Sequence, residues 1–319
     1  MESHQTILFP PGRYPPVPAF QFIREKGMDL IHFLMFTSLF VGIAGSGMVY
    51  VAAFIEGVAC GPVPMTIVFL LGFSIYNLNR KTDEAEDAIN RADRYSFTKK
   101  YERHLFVSAL VAYGLAIGIA AHFGILPALV VLIPLVTGIL YSIPCLPQST
   151  GYRRLKEIPV VKNLVVGCAW GITLTFIPLL ITHSPVTVQS LVTLVFFFTY
   201  AFIASTLPDI RDREGDAQAG VRTIPVVIGE EKTLSLITTL NLVVGCSAIG
   251  FSALYLSGTA VAVFAVSTLY LHICIRSFTR AKRKDILCDI MTDGQFIIIG
   301  LMIFSALLFQ PLLASGLIS

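Results

Sequence analysis

Residues 62–91 read PVPMTIVFLLGFSIYNLNRKTDEAEDAINR. The first part is an apolar run of the length that crosses a bilayer, roughly 20 residues. It empties at once into a stretch where nearly every second residue is charged. If the helix carries on past Asn79, then Asn79, Asp83 and Asp87 recur every four residues and line one face. Three carboxylate or carboxamide groups stacked where a helix leaves an apolar layer set the reading of the whole chain.

The same transition recurs outward from this stretch. All 23 lysines and arginines fall into five clusters, at 13–26, 80–103, 153–162, 211–232 and 276–284. Every second apolar hairpin between them carries none, the pattern that the positive-inside rule produces in a polytopic membrane protein. Nineteen of the 20 acidic residues share that side, with Glu56 alone on the other. The 319 residues are 55% hydrophobic and 13% charged, with mean hydropathy +0.76. A soluble domain carries roughly 25% charged residues, so the bilayer is the expected solvent.

Nine candidate spans follow, at 28–55, 62–79, 104–122, 124–143, 160–182, 186–207, 233–254, 256–275 and 294–315. Runs such as Leu191 to Phe198 are apolar on every face, which favours helices over the alternating strands of a barrel. The expected fold is all-α: a polytopic membrane bundle of nine transmembrane helices, two related halves around a central cavity. Residues 28–319 form that domain. Residues 1–27, proline-rich and polar, form a cytoplasmic or interfacial segment with no signal-peptide pattern. The N-terminus is expected in the cytoplasm. The net charge of +3 points to no nucleic-acid partner, because the basic residues flank spans and alternate with acids. Six cysteines at 60, 145, 168, 246, 274 and 288 show no paired spacing and read as small hydrophobes.

A second acidic strip closes the sixth span, where Asp209, Asp212 and Asp216 sit at i, i+3 and i+7. Carboxylates stacked on one helix face repel one another, and a divalent cation removes that cost. Magnesium takes one or two carboxylates and completes its octahedron with water and phosphate oxygens. Two facing strips suit two or more such ions around one diphosphate, with nearby basic residues as phosphate donors. The bland alternative, solvated loop helices, is weakened by recurrence at matching places. A third strip, Asp285, Asp289 and Asp293, follows five basic residues and reads as a solvated face, with Asp293 a helix cap.

At these residues the chain resembles the UbiA superfamily of intramembrane prenyltransferases. Asn79, Asp83, Asp87, Asn90 and Arg94 match its first motif, and Asp209, Asp212 and Asp216 its second. The stretch Gly220 to Val226, Tyr141-Ser142, Lys156, Lys162-Asn163 and Ala169-Trp170-Gly171 extend the likeness. Arg80 departs from it, standing where many members have an aspartate, and the Arg-Pro pair common after the first motif is missing.

The resemblance implies transfer of a polyprenyl chain from an allylic diphosphate donor to a lipophilic acceptor, with Mg2+ as cofactor. It assigns the metal to Asn79, Asp83, Asp87, Asp209, Asp212 and Asp216, the five aspartates being catalytic. Arg94, Lys156, Lys162 and Arg222 are candidate phosphate contacts, and Tyr141 and Ser142 hydroxyl donors. The missing Arg-Pro pair favours an aromatic or quinone-type acceptor over a glyceryl ether. Phe196, Phe197, Phe198, Tyr200 and Phe202 read as packing residues before tunnel lining, and His32 as either an orienter of the acceptor or a neutral histidine bonded to a neighbouring helix. A transporter, a terpene cyclase and a non-catalytic scaffold are the alternatives. A transporter would place its charges near mid-membrane, where this chain has almost none.

Overall fold

The computed structural model describes residues 30–142, 152, 154–218 and 220–314, all of their regular structure helical. A short helix α1 (30–36) leads into α2 (Leu39–Glu56), then α3 (Pro62–Thr82), α4 (Glu84–Asn90), α5 (Ala92–Lys100), α6 (Glu102–His122) and α7 (Ile125–Ser142). After a 3-10 turn at Leu155–Glu157 come α8 (Val161–Ile181), α9 (Val188–Arg211), α10 (Arg213–Gln218), α11 (Ile224–Ile228), α12 (Glu230–Tyr255) and α13 (Gly258–Ser277). A single turn α14 (Lys284–Ile286) runs through a π-helical turn, Leu287–Met291, into α15 (Thr292–Ala314).

Eight of these helices are long and apolar enough to cross a membrane: α2, α3, α6, α8, α9, α12, α13 and the 284–308 unit. The ninth expected span, α7, is a shorter apolar helix with Pro134 inside it. Side chains such as Leu115, Leu126, Val243, Leu269 and Leu301 are exposed on the outer faces. In water that surface would be a liability; against acyl chains it is matched to its solvent.

Neighbours along the chain pack as antiparallel pairs, and α15 returns to α2, so α2, α3, α6, α7, α8, α9, α12, α13 and α15 close a ring. Small residues permit the tightest approaches. A Cβ on Gly47 would lie 2.7 Å from the Phe296 carbonyl oxygen of α15, and one on Gly42 would lie 2.9 Å from the Phe69 ring of α3. Glycines thus act as contact points for backbones that have no hydrophobic drive to associate in lipid. Between the helices, Phe196 meets Phe264 edge-on at 4.9 Å, and Tyr200 meets Phe296 edge-on at 4.7 Å. Phe196, Phe197 and Phe202 are buried in this core, as their packing reading expects.

The first span departs from expectation, because it is not one helix. It breaks at Thr37-Ser38, where Ser38 takes a left-handed φ of 64°, a conformation that costs a non-glycine residue energy. The break is held by α3. Arg80 donates to the Met35 carbonyl at 3.0 Å and to that of Phe36, and Asn77 donates to the Thr37 carbonyl at 3.0 Å. The last carbonyls of a helix lack intrahelical partners, and here a guanidinium supplies them. Arg80, the residue that departs from the family pattern, therefore carries a structural job that an aspartate could not do.

Arg80→Met leaves the Phe36 carbonyl without its guanidinium partner and the Met35 carbonyl with the Ser38 N–H alone, and a carbonyl left buried and unpaired costs about 1–3 kcal/mol. The variant is expected to melt at a lower temperature in detergent than the wild type, and an unchanged melting curve would contradict the clamp.

Candidate active site

Both acidic strips are built the same way, and neither is a continuous helix. Asp83 ends α3 and precedes α4, while Asp212 ends α9 and precedes α10. Each junction keeps the i to i+4 bonding of a helix: Asp83 N–H donates to Asn79 O (3.0 Å) and Asp87 N–H to Asp83 O (2.9 Å). In the second half Asp212 N–H donates to Pro208 O and Asp216 N–H to Asp212 O, both at 2.9 Å. The helical spacing read from the sequence survives the bend, and so the side chains keep a common face.

The two faces meet. A single cavity of about 350 Å³ is lined by Asn79, Asp83, Asp87 and Arg94 from the first strip and by Asp209, Asp212 and Asp216 from the second, with Lys162 between them. Asn90 Nδ2 donates to Asp216 Oδ1 at 3.0 Å, joining residues 126 apart in sequence. Gly215 makes this possible, since a Cβ there would lie 1.8 Å from Asn90 Oδ1. Deeper in, Phe40, Val41, Met48, Trp170 and Leu174 give the cavity an apolar wall.

Each carboxylate has a defined partner. Asp209, 2% exposed, accepts Lys162 Nζ at 2.6 Å on one oxygen and Asn163 Nδ2 at 3.0 Å on the other. Asp87 accepts Arg94 at 2.6 Å. Arg211 chelates Asp212 with two bonds of 2.7 Å, and its remaining nitrogen reaches Asp289 at 3.1 Å. Arg91 closes on the other oxygen of Asp289.

Some expected residues are not brought in. Arg222 is exposed and donates to the Tyr152 hydroxyl at 3.3 Å, outside the cavity. Its neighbour Val221 is buried and is the residue that lines the cavity. The side chains of Tyr141, Ser142 and Lys156 lie outside the described residues.

The third strip also needs correcting. Asp285 pairs with Arg283 at 2.6 Å, as a solvated face would, but Asp289 and Asp293 line the cavity. Asp293 is not a cap, because it accepts the Tyr200 hydroxyl at 3.0 Å. Tyr200 lines the cavity too, unlike its packing neighbours on α9. The signal for this strip was its one-face helical spacing, i, i+4 and i+8, of the kind that marked the other two.

Counting the lining side chains, five basic groups face seven carboxylates, a formal charge of −2. A diphosphate is itself a polyanion, so this cavity needs added positive charge to hold one. Burial pushes the Asp216 carboxyl up to about 6, Lys162 opposing the push and Asp209 nearby adding to it. Among the described residues no three carboxylate, histidine or cysteine groups converge closely enough to hold an ion alone. Magnesium requires only one or two carboxylates, its other positions filled by water and phosphate. The donor set fits that ion.

The family model described as the UbiA prenyltransferase family matches residues 33–291. A digeranylgeranylglyceryl phosphate synthase of Sulfolobus acidocaldarius is 27% identical over 229 residues, covering 69% of this chain and 78% of the relative. Among solved structures, the apo UbiA homolog of Aeropyrum pernix K1 superposes with a TM-score of 0.62 at 15% identity, covering 82% of this chain and 98% of its own. A UbiA homolog of Archaeoglobus fulgidus, bound to GPP and Mg2+, gives 0.62 at 17% identity over 85% and 99%. These structural likenesses establish the shared fold.

A raised carboxylate stabilises the fold below its unfolded value and withdraws that stability as pH rises through the folded one. Without divalent ions, the wild type is expected to lose stability from about pH 4 to about pH 6, and Asp216→Asn to lack that slope. At pH 7 the variant gains up to about 3 kcal/mol. Detergent melts across this range in chelator check it, and parallel curves for the two proteins would contradict it.

Proposed function

This chain belongs to the UbiA prenyltransferase family and is an intramembrane prenyltransferase, and from that premise we propose that its two acidic strips bind an allylic prenyl diphosphate with magnesium and pass the prenyl chain to a lipophilic acceptor. One observation carries the reading: strips remote in sequence line the same cavity and are joined there by the Asn90–Asp216 bond.

Asn79, Asp83, Asp87, Asp209, Asp212 and Asp216 are the residues that would hold the metal. When bound, magnesium supplies Lewis-acid neutralisation of the charge growing on the leaving diphosphate. The remaining work belongs to the chain. Lys162 and Arg94 stand beside the carboxylates with charged N–H donors for phosphate oxygens. As the allylic C–O bond breaks, both its electrons leave with the diphosphate, and these preplaced charges favour that separation. The apolar wall of Phe40, Val41, Met48 and Leu174 receives the prenyl tail and keeps water from the cation. The acceptor then supplies an electron pair to the allylic carbon and gives up a proton.

The strips and most basic residues occupy one end of the bundle, which the positive-inside rule assigns to the cytoplasm; the expected N-terminal segment 1–27 lies outside the described residues. For the acceptor, an aromatic or quinone-type ring is the class read from the sequence. A glyceryl phosphate lipid is the second reading, favoured by the name of the Sulfolobus relative. A panel of both classes with labelled geranylgeranyl diphosphate separates them by product, and a cyclised hydrocarbon without acceptor would identify a terpene cyclase instead.

Asp83→Asn and Asp209→Asn are each expected to lower turnover by at least about 10²-fold while the protein remains folded in membranes; full activity in either would reject the metal assignment. Excess chelator is expected to abolish product formation, and undiminished product would overturn the Lewis-acid step.

A further inference from the structure

Asp293 is held by a hydroxyl where four other carboxylates of the cavity are held by cations. Asp87, Asp209, Asp212 and Asp289 each accept a cationic side chain. Asp293 accepts instead the neutral hydroxyl of Tyr200, at 3.0 Å on Oδ1. The same hydroxyl lies 2.9 Å from the Thr292 carbonyl oxygen. A phenol has one proton and can give it to only one of these acceptors at a time. When Asp293 is a carboxylate the proton can point to Oδ1; when Asp293 is protonated it can turn to the carbonyl. The pair is therefore satisfied in both states of the carboxyl, a property that a fixed ion pair lacks.

Its location matches that use. Asp293 lies two residues beyond the π-helical turn 287–291, a distortion often found where helices carry function. It lies one helical turn below Asp289, and its partner Tyr200 lies nine residues inward of Asp209 on α9, about 13 Å along the axis. Asp293, Tyr200 and Tyr76 thus line the cavity between the charged mouth and the apolar wall. Ionisable side chains at such depth are costly and generally serve a function. Behind Tyr200 lies a pocket of about 10 Å³ lined by Thr199, Asn241, Ser267 and Gln295. The Gln295 amide and the Ser267 hydroxyl there have no hydrogen-bond partner among the described residues, and the space is near the minimum for about one water.

We propose that Asp293, oriented by Tyr200, is the catalytic residue that accepts the proton lost by the acceptor. The inference rests on the prenyl-transfer reading above. In the step, the acceptor's electron pair forms the new bond to the allylic carbon. The acceptor's X–H bond breaks with its electrons staying on the acceptor, and the proton passes to Asp293 Oδ2, giving a neutral carboxylic acid. The diphosphate has already left, so ionisation does not need Asp293. Transfer does.

The two stages can be read separately in the full-length protein in detergent with magnesium. Ionisation is followed by scrambling of oxygen-18 between the bridging and non-bridging positions of geranylgeranyl diphosphate. Transfer is followed with labelled donor and two acceptors, 4-hydroxybenzoate and geranylgeranylglyceryl phosphate. Asp293→Asn is expected to scramble at nearly the wild-type rate while transfer falls about 10²- to 10⁴-fold. Tyr200→Phe keeps the carboxyl and is expected to retain more transfer than Asp293→Asn, with its pH profile displaced from that of the wild type. An Asp293→Asn protein that transfers normally, or that loses scrambling together with transfer, overturns the assignment. A wild type that leaves the label unscrambled overturns the transferase reading, and this inference with it.

Discussion

Electrostatic repulsion within one cavity is the constraint around which the bundle is organised. Seven carboxylates open into a space of about 350 Å³ with five basic groups among them. Aspartates so close are tolerated because each has an assigned partner: Arg94 for Asp87, Lys162 and Asn163 for Asp209, Arg211 for Asp212. The formal balance remains negative, and burial separately pushes Asp216 up to about 6. A site left short of positive charge in this way is prepared for cations that arrive with a diphosphate, and it disfavours the bare anion.

The helices serve this constraint. Two junctions, α3 to α4 and α9 to α10, bend the chain without losing the helical hydrogen-bond step, so the strips turn inward together. Gly215 lets α10 close on Asn90, and the π-helical turn before α15 brings Asp289 to bind Arg91 and Arg211 from the two halves. The clamp of Arg80 on the broken first span holds Met35 and Phe36, which also line the cavity. Each contact joins parts of the chain far apart in sequence, which is why loss of one is expected to disturb the site more than the core.

Much of this was legible in the sequence for identifiable reasons. Apolar runs of membrane length and one-sided charge mark the spans, and i, i+4 spacing marks the strips whether or not the helix is continuous. What was not legible depended on tertiary contact. Nothing at Thr37-Ser38, with no glycine or proline, announces a break, because Arg80 and Asn77 create it from another helix. Arg222 matched the pattern of a site residue, yet it is exposed and bonded to the Tyr152 hydroxyl while buried Val221 beside it faces the cavity. Asp289 and Asp293 read as a solvated face because five basic residues precede them, and only the packing of α15 against α9 shows that they look into the cavity.

The central claim is that both strips grip the same ion-bound diphosphate, and it can be measured without turnover. Manganese bound with an unreactive thio-analogue of geranylgeranyl diphosphate should show hyperfine coupling to phosphorus in pulsed electron paramagnetic resonance. The coupled signal is predicted for the wild type and its loss when either Asp87 or Asp212 becomes asparagine. A coupled signal of full intensity with one strip disabled would mean that the strips do not share the ligand.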